Sequence, residues 1–365
     1  MWTAAVPRRV GRGSAPCDIR EYVLPPHALH WLSSALPGPL PQERRATCDR
    51  CVMCEPPTQR YRPDIKCCSY LPDLPNFLVG AQLADARAEP VALASIRRRI
   101  AAGAGVTPLG LGRTRLFDSI YDPSESFGRA PGLLCPHFVA HDMSCGVWRY
   151  RNGVCATWFC RHDRGVVGLR LWESVRSLLT LVEESLATYA LLEVGFEGPE
   201  LAALAAWRAT RGPPAAEELG GAPDPARLAT WGAWSGKEEA LYRACAAAVY
   251  PLPWAEVLRI GGAPVAAAHR VACFRGRELV YRELPAVLLG APVEVLSRSA
   301  EAVVLVAYSP SDPVEVAPRV YDAIHALVGP TASLFDRFEA ATGESLPKDT
   351  LWRLIDAGVL VAEDG

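Results

Sequence analysis

Nine of the twelve cysteines fall between Cys48 and Cys160, under a third of a 365-residue chain. Crowding of that kind constrains the fold more than any helix or strand pattern. Scattered core thiols would not bunch, so these loops are expected to close around something that holds sulfur. The first group places Cys48, Cys51 and Cys54 at two-residue spacers, followed by Cys67-Cys68 beyond a proline-containing turn. The second is Cys135, Cys145, Cys155 and Cys160, separated by nine, nine and four residues. A two-residue spacer lets two sulfurs of one turn reach one ion, and thiolates prefer soft or borderline metals. The neighbours Cys67 and Cys68 cannot easily face one ion together, and in a cluster site they would serve different irons or different metals. Nine thiols exceed the four ligands of one tetrahedral site, which allows two sites, or a cluster with spare thiols. His137, His141 and His162 lie near the second group and are candidates to complete a coordination shell.

Two metal chemistries compete. Zinc knuckles repeat a paired spacer at a set gap, and the second group has no such pair. The irregular spacing favours an iron–sulfur cluster, which takes several cysteine ligands. The alternative is a closed zinc site that only holds the loops together and contributes to folding. Disulfides are a further use of an even number of cysteines. The first residues lack the apolar run of roughly 7–15 residues of a secretory signal. No segment reaches the roughly 18 uninterrupted apolar residues of a membrane span. A cytoplasmic location is therefore expected, where thiols stay reduced and bind metal rather than pair.

The second group carries a family resemblance. Cys135-Pro-His-Phe138, then Cys145-Gly-Val-Trp148-Arg149-Tyr150-Arg151 and Cys155, resemble the YkgJ-like cysteine-cluster proteins, the zinc- or iron-chelating CxxCxxCC domain family. Distant members include the flagellin lysine N-methylases. The opening departs from the family pattern: the double cysteine stands at Cys67-Cys68, with twelve residues between Cys54 and Cys67, and Cys160 lies past the pattern altogether. The resemblance covers about residues 48–162 and implies metal or cluster binding at Cys51, Cys68, Cys135, Cys145 and Cys155 at least. It implies no activity, because a family likeness does not fix chemistry. Cys48, Cys54, Cys67 and Cys160 complete the set of candidate ligands read from the sequence.

Arg149 and Arg151 flank Tyr150 between two of these cysteines and are the candidate cofactor-binding residues. They would neutralise an anionic cluster or clamp a substrate carboxylate, or else pair with Asp142 or Asp163 and fix the loop. Trp148, Trp158 and Phe159 read as core around the site. No P-loop, dinucleotide fingerprint, nucleophile elbow or H-E-x-x-H helix is found. The formal charge of −2 gives no bulk attraction for nucleic acid or an anionic membrane, so neither is an expected partner.

The fold expected is mainly α, with an irregular cysteine-rich metal-binding domain and a small α/β winged-helix-like C-terminal module. Residues 1–47 form a lead-in rich in proline and arginine, with a short helix from Ala28 to Leu36. Residues 48–165 form the cysteine-rich domain. Within it a helix begins near Pro75, and a second runs from Pro90 to Ala102 with Val91, Leu93, Ile96 and Ile100 as its apolar stripe. Residues 166–290 form a helical scaffold. Its clearest helix covers 166–195, where Leu171, Val175, Leu178, Val182, Leu186 and Tyr189 recur at helical steps and Glu173, Arg176, Glu183 and Glu184 take the other side. Residues 196–230, with their prolines and glycines, read as a connection, and a helix follows from Gly236 to Val249. Cys245 and Cys273 read as small core residues.

Residues 291–365 form the C-terminal module. Two strands (293–297 and 302–308) precede helices at 316–328, 331–342 and 347–357, and a short strand closes it. This order resembles the peptide-binding domains of the PqqD type. The function expected is a metal-binding cysteine-cluster protein with an iron–sulfur centre, serving electron transfer or modification of a protein or peptide partner held by the module. The alternative is a zinc-stabilised, non-enzymatic adaptor or regulator.

Overall fold

The computed structural model describes residues 24–38, 40, 41, 43, 51–55, 60–209 and 230–363. They are mainly helical with small antiparallel sheets. In chain order the first helices are α1 (Pro26–Ala35), α2 (Asn76–Ala84) and α3 (Pro90–Ala102). Short helices α4 (Arg115–Ile120), α5 (Pro123–Ser126) and α6 (Gly153–Ala156) punctuate the cysteine-rich loops. Then come α7 (Gly165–Glu193), α8 (Gly198–Ala209), α9 (Glu238–Val249) and α10 (Trp254–Val280).

α7 is the axis of the main core. Its 29 residues span roughly 43 Å at the rise of an α-helix. Leu171, Val175, Leu178, Val182 and Leu186 are all buried, as their spacing predicts. Glu183 departs from that prediction and is buried among them. α10 packs along α7, and α2 packs along α9. Trp31, Phe77, Trp172 and Tyr242 fill the centre with almost no exposed surface. Trp31 of α1 donates its Nε1–H to the Leu252 carbonyl at 3.1 Å, which ties the lead-in helix to the turn before α10.

Three features differ from the sequence reading. The 196–230 stretch carries α8, begun by Gly198-Pro199 and extended by the helix formers of Glu-Leu-Ala-Ala-Leu. α10 was hidden by its own punctuation: Gly262 has φ +59°, and Pro264 sits just beyond it, so two helical pieces join across a kink. In α3 the buried face is Ala92, Ser95, Ile96 and Arg99, while Val91 is 39% exposed. The face is rotated from the expected stripe because Ser95 and Arg99 have polar work inside.

The cysteine-rich region contributes two small sheets. One joins β1 (Leu74–Pro75), β2 (Val106–Thr107) and β3 (Gly110–Leu111) in the order β1-β3-β2. The other pairs β4 (Phe138–Val139) with β5 (Ser144–Cys145) as a hairpin. The C-terminal residues have a separate core. β6 (Val287–Gly290) pairs with β10 (Gly329–Pro330) and β11 (Leu360–Ala362), and β7 (Glu294–Arg298), β8 (Val303–Val306) and β9 (Val314–Val316) form a meander. Helices α11 (Pro318–Asp322), α12 (Leu334–Thr342) and α13 (Lys348–Asp356) cover them, around Leu288, Leu305, Phe338 and Leu354. The helix expected over 316–328 is shorter, because Val314 and Val316 alternate inward on β9 and Pro318 opens α11.

These C-terminal elements are fastened at the start of α7. Asp356 accepts from Arg164 Nε at 3.2 Å and from Arg282 at 2.9 Å. Gly165 lies between with φ +48°, and a Cβ there would stand 1.8 Å from the Asp356 carbonyl oxygen. Only glycine satisfies both demands.

A second close approach sits in the main core. A Cβ on Gly80 of α2 would fall 1.7 Å from the Tyr242 carbonyl oxygen of α9. Backbone cannot yield as a flexible side chain does, so Gly80→Ala is expected to lower stability by about 2–3 kcal/mol or more. Urea denaturation would show this as a lower midpoint; an unchanged midpoint would mean the two helices do not touch here.

Candidate metal centre

The site is assembled from three loops and one short helix. Cys51 and Cys54 bracket a single 3₁₀ turn, with the Cys54 amide donating to the Cys51 carbonyl at 2.9 Å. Burial, then the neighbouring Cys51, pushes the Cys54 thiol up to about 12. The next loop winds through Arg62–Tyr70 in successive turns, with Lys66 in the left-handed region at φ +49° just before the double cysteine. The Cys67 thiol is raised well above its ordinary value, first by a hydrogen bond with Cys68 and then by burial. Cys67 keeps some of its residue surface exposed, but its sulfur is enclosed.

One backbone bond joins the early and late groups: the Cys135 amide donates to the Cys68 carbonyl at 2.6 Å. Cys135 is itself buried, and burial followed by the Cys145 sulfur pushes its thiol up to about 12. The β4–β5 hairpin supplies Cys145, opposite Phe138, and a Gly146 amide bond to the His137 carbonyl at 2.9 Å extends the pairing. Cys155 rides on α6. Asn152 caps that helix by accepting from the Cys155 amide at 3.0 Å, and its side-chain amide donates to the Asp73 carbonyl at 3.1 Å. Glu183 of α7 accepts from the Gly153 amide at 2.7 Å. Two caps therefore fix the helix that carries Cys155. Its thiol is raised well above normal by burial, then by Cys145, Cys135 and Cys67 in turn.

The thiols thus form one neighbourhood, with Cys67 as the member common to both groups. It acts on Cys54 on one side and on Cys135 and Cys155 on the other. Cys160 lies with Tyr61 on the wall of one cleft, and the Tyr61 hydroxyl is raised by burial, then by Cys160, Cys67 and Cys51. Cys48 lies outside the described residues. Cys245 is fully buried in the helical core, and Cys273 donates to the Ala35 carbonyl at 3.4 Å. None of the ten described cysteines is joined in a disulfide.

As the side chains stand, no group of three or more His, Cys, Asp or Glu among the described residues forms a ligand arrangement for a metal ion. The donor set nevertheless fits a soft cation in kind. Several enclosed sulfurs raise one another's proton affinity, and a bound cation would remove that mutual cost. Fixed positive charge already borders them: Arg99 acts on Cys135, Arg151 on Cys155 and Lys66 on Cys54.

Of the two arginines singled out in the sequence, Arg151 is buried. It lies over the Trp148 ring at 3.4 Å and donates to the carbonyls of Trp148 at 3.1 Å and Cys155 at 3.3 Å. Arg149 has its Nε buried without a hydrogen-bond partner, and its charge acts on Tyr150 and Tyr250. The three histidines separate. His137 is fully buried, its Nδ1 2.8 Å from the Ser95 hydroxyl and its Nε2 without a partner. Burial lowers it to about 3, so the ring is neutral near pH 7. His141 is exposed beside Asp142. His162 belongs to a different group, with Tyr308 and Asp312.

Sequence reasoning missed Arg99, Glu183 and Tyr61. Arg99 stands three residues after the buried Ile96, which puts both on one helical face. Its Nε donates to the Ala104 carbonyl at 3.2 Å, and it also bonds the Gly112 carbonyl. Trp158, read as core, is 43% exposed.

Glu183 has a measurable signature. Burial holds its folded-state value well above 4.5. A raised carboxyl favours the folded chain fully only below the unfolded value, and that contribution is lost as pH climbs from there toward the folded value. Glu183→Gln keeps an acceptor for Gly153 without titrating. Its stability relative to wild type should rise with pH above about 4.5, by at most about 1.4 kcal/mol per pH unit. Urea titrations at several pH values test this; parallel curves would mean Glu183 is not desolvated.

Comparison with protein-family models, with curated proteins and with solved structures finds no match for this chain.

Proposed function

We propose that the chain binds a soft metal through the thiolates gathered around Cys67, with an iron–sulfur cluster as the centre and a protein or peptide as the partner. The carrying observation is the 2.6 Å bond from the Cys135 amide to the Cys68 carbonyl, which joins the early and late cysteine groups. Beside it the enclosed Cys155 thiol is raised by burial, then by Cys145, Cys135 and Cys67, across stretches nearly ninety residues apart. Cys51, Cys54 and Cys68 adjoin the same sulfur, Cys67, which gives more donors than one tetrahedral ion takes. The likeness of Cys135–Cys155 to the YkgJ-like pattern points the same way. Flanking Arg99, Arg151 and Lys66 would offset the negative charge of thiolate ligands. A cluster in this place would supply one-electron chemistry. The chain's own residues would keep it dry and aim its cysteines. The C-terminal module, read as winged-helix-like, would present the partner next to Cys160, where Ser311 donates to the Cys160 carbonyl at 2.7 Å.

One observation favours a second reading. Cys67, Cys135, Cys145 and Cys155 number four, the complement of a closed zinc site, and the last of them rides on α6, which packs against α7. The protein would then be a zinc-stabilised adaptor.

Purification without oxygen, followed by elemental and labile-sulfide analysis, tests both. The cluster reading expects iron, sulfide and visible absorption. Colourless protein with stoichiometric zinc would replace it by the second reading, and metal-free protein would remove both. Cys67→Ser and Cys155→Ser are each expected to lose at least about tenfold in bound metal, in line with loss of a ligand or its support. Cys245→Ser, in the helical core, should retain it.

A further inference from the structure

A cleft opens between the cysteine-rich loops, α7 and the C-terminal β8–β9 loop, with a volume of about 260 Å³. Its lining combines Arg176 and Glu173 of α7, the Trp158 ring, Tyr61, and the hydroxyl-bearing loop Tyr308–Ser311. Arg176 is the unusual member. Its Nε is shut off from solvent and has no hydrogen-bond partner. Its guanidinium lies 5.4 Å from the centre of the Trp158 ring. Among the described residues it forms no ion pair, even with Glu173 three positions earlier on the same helix. A guanidinium with enclosed nitrogen and no acceptor is a costly arrangement unless an anion completes it.

The aromatic wall is built rather than incidental. Trp158 stands edge-on to Phe127 at 5.2 Å, and Phe127 edge-on to Tyr61 at 5.3 Å. The Tyr61 ring presses on the backbone of Gly128, where a Cβ would come within 2.1 Å of it. The opposite wall is held by Ser311, whose hydroxyl donates to the Cys160 carbonyl, and by Ser309, 2.8 Å from Ser311. Rigid walls leave a fixed recess with one positive group, two serine hydroxyls and a flat apolar shelf 43% open to solvent.

We propose that this cleft binds a carboxylate whose body carries an aromatic or planar group, the carboxylate on Arg176 and the flat group on Trp158. The size excludes a nucleotide and admits one amino-acid-sized moiety. Glu173 sets the charge limit: a single negative charge is tolerated beside it, whereas a dianion such as phosphate is repelled. The carboxylate has two sources, the end of a peptide chain or an acidic side chain, and the recess presents the same chemistry to both. The inference stands on Arg176 and Trp158 and does not require a metal.

Calorimetric titration of the full-length chain tests it, with the metal content of each preparation recorded. The probes are acetyl-Gly-Phe with a free terminus, acetyl-Asp-Phe-amide, acetyl-Gly-Phe-amide and inorganic phosphate. Both acids should bind more tightly than the amide by at least about tenfold, the worth of one charge-assisted contact. Whichever acid binds better identifies the source. Arg176→Gln should reduce acid binding at least about tenfold, and Arg176→Lys should retain some of it. Trp158→Ala should weaken the same probes, and Glu173→Gln should let phosphate in. Equal binding of acid and amide, a folded R176Q that binds like wild type, or phosphate preferred by wild type would overturn the assignment. So would no binding of either acid at about 10 mM. If R176Q fails to fold, R176K and W158A decide in its place. Loss of metal without loss of acid binding would strike only the metal reading.

Discussion

The short hydrogen bond from the Cys135 amide to the Cys68 carbonyl is the contact on which the cysteine-rich region depends. Stretches nearly seventy residues apart meet there, and closing a loop of that length costs entropy that one backbone bond does not offset. The remainder comes from neighbouring packing: Phe138 and Val139 are buried, Arg99 fastens the Ala104 and Gly112 carbonyls, and Arg113 lies over Tyr70 at 4.6 Å. The sulfurs occupy what is left between these fastenings.

Buried polar groups serve position more than stability. Glu183 and Asn152 together hold a four-residue helix, too short to persist alone, against α7. Glu43 has a similar role at the other end of the same loop. It accepts from the Trp172 indole at 2.5 Å and the Asp163 amide at 2.7 Å, bracing the chain just before α7 begins. Each carboxylate meets backbone or indole N–H groups, the pairing that makes an enclosed acid tolerable.

Much of this was legible in the sequence, and the exceptions have physical reasons. α7 announced itself because its buried face is almost purely aliphatic. Glu183 escaped because a residue flanking the stripe on a helix is hidden or exposed according to the neighbour, and α6 covers it. α10 escaped because Gly261, Gly262 and Pro264 read as loop punctuation, although each half is helical on either side of the bend. The sequence put all nine clustered cysteines into one candidate set. The nearness of Cys67 to Cys135 and Cys155 could not be read from spacing, because it depends on how the Cys135 segment returns to the Cys68 carbonyl. The meeting of Cys160 with Tyr61 was not readable either, since nothing local says which ring a thiol will meet. The helical period puts Arg176 on the outer side of α7, and that side is the wall of a cleft only because the β8–β9 loop crosses it.

Gly165, pressed against the Asp356 carbonyl, also has a mechanical consequence. The end of α13 and the first turn of α7 are in backbone contact with no side chain between them, and Arg164 clamps the same aspartate. A tug on the C-terminal strands would therefore travel as displacement of rigid main chain into the segment bearing Cys160 and His162, instead of being absorbed by compliant rotamers.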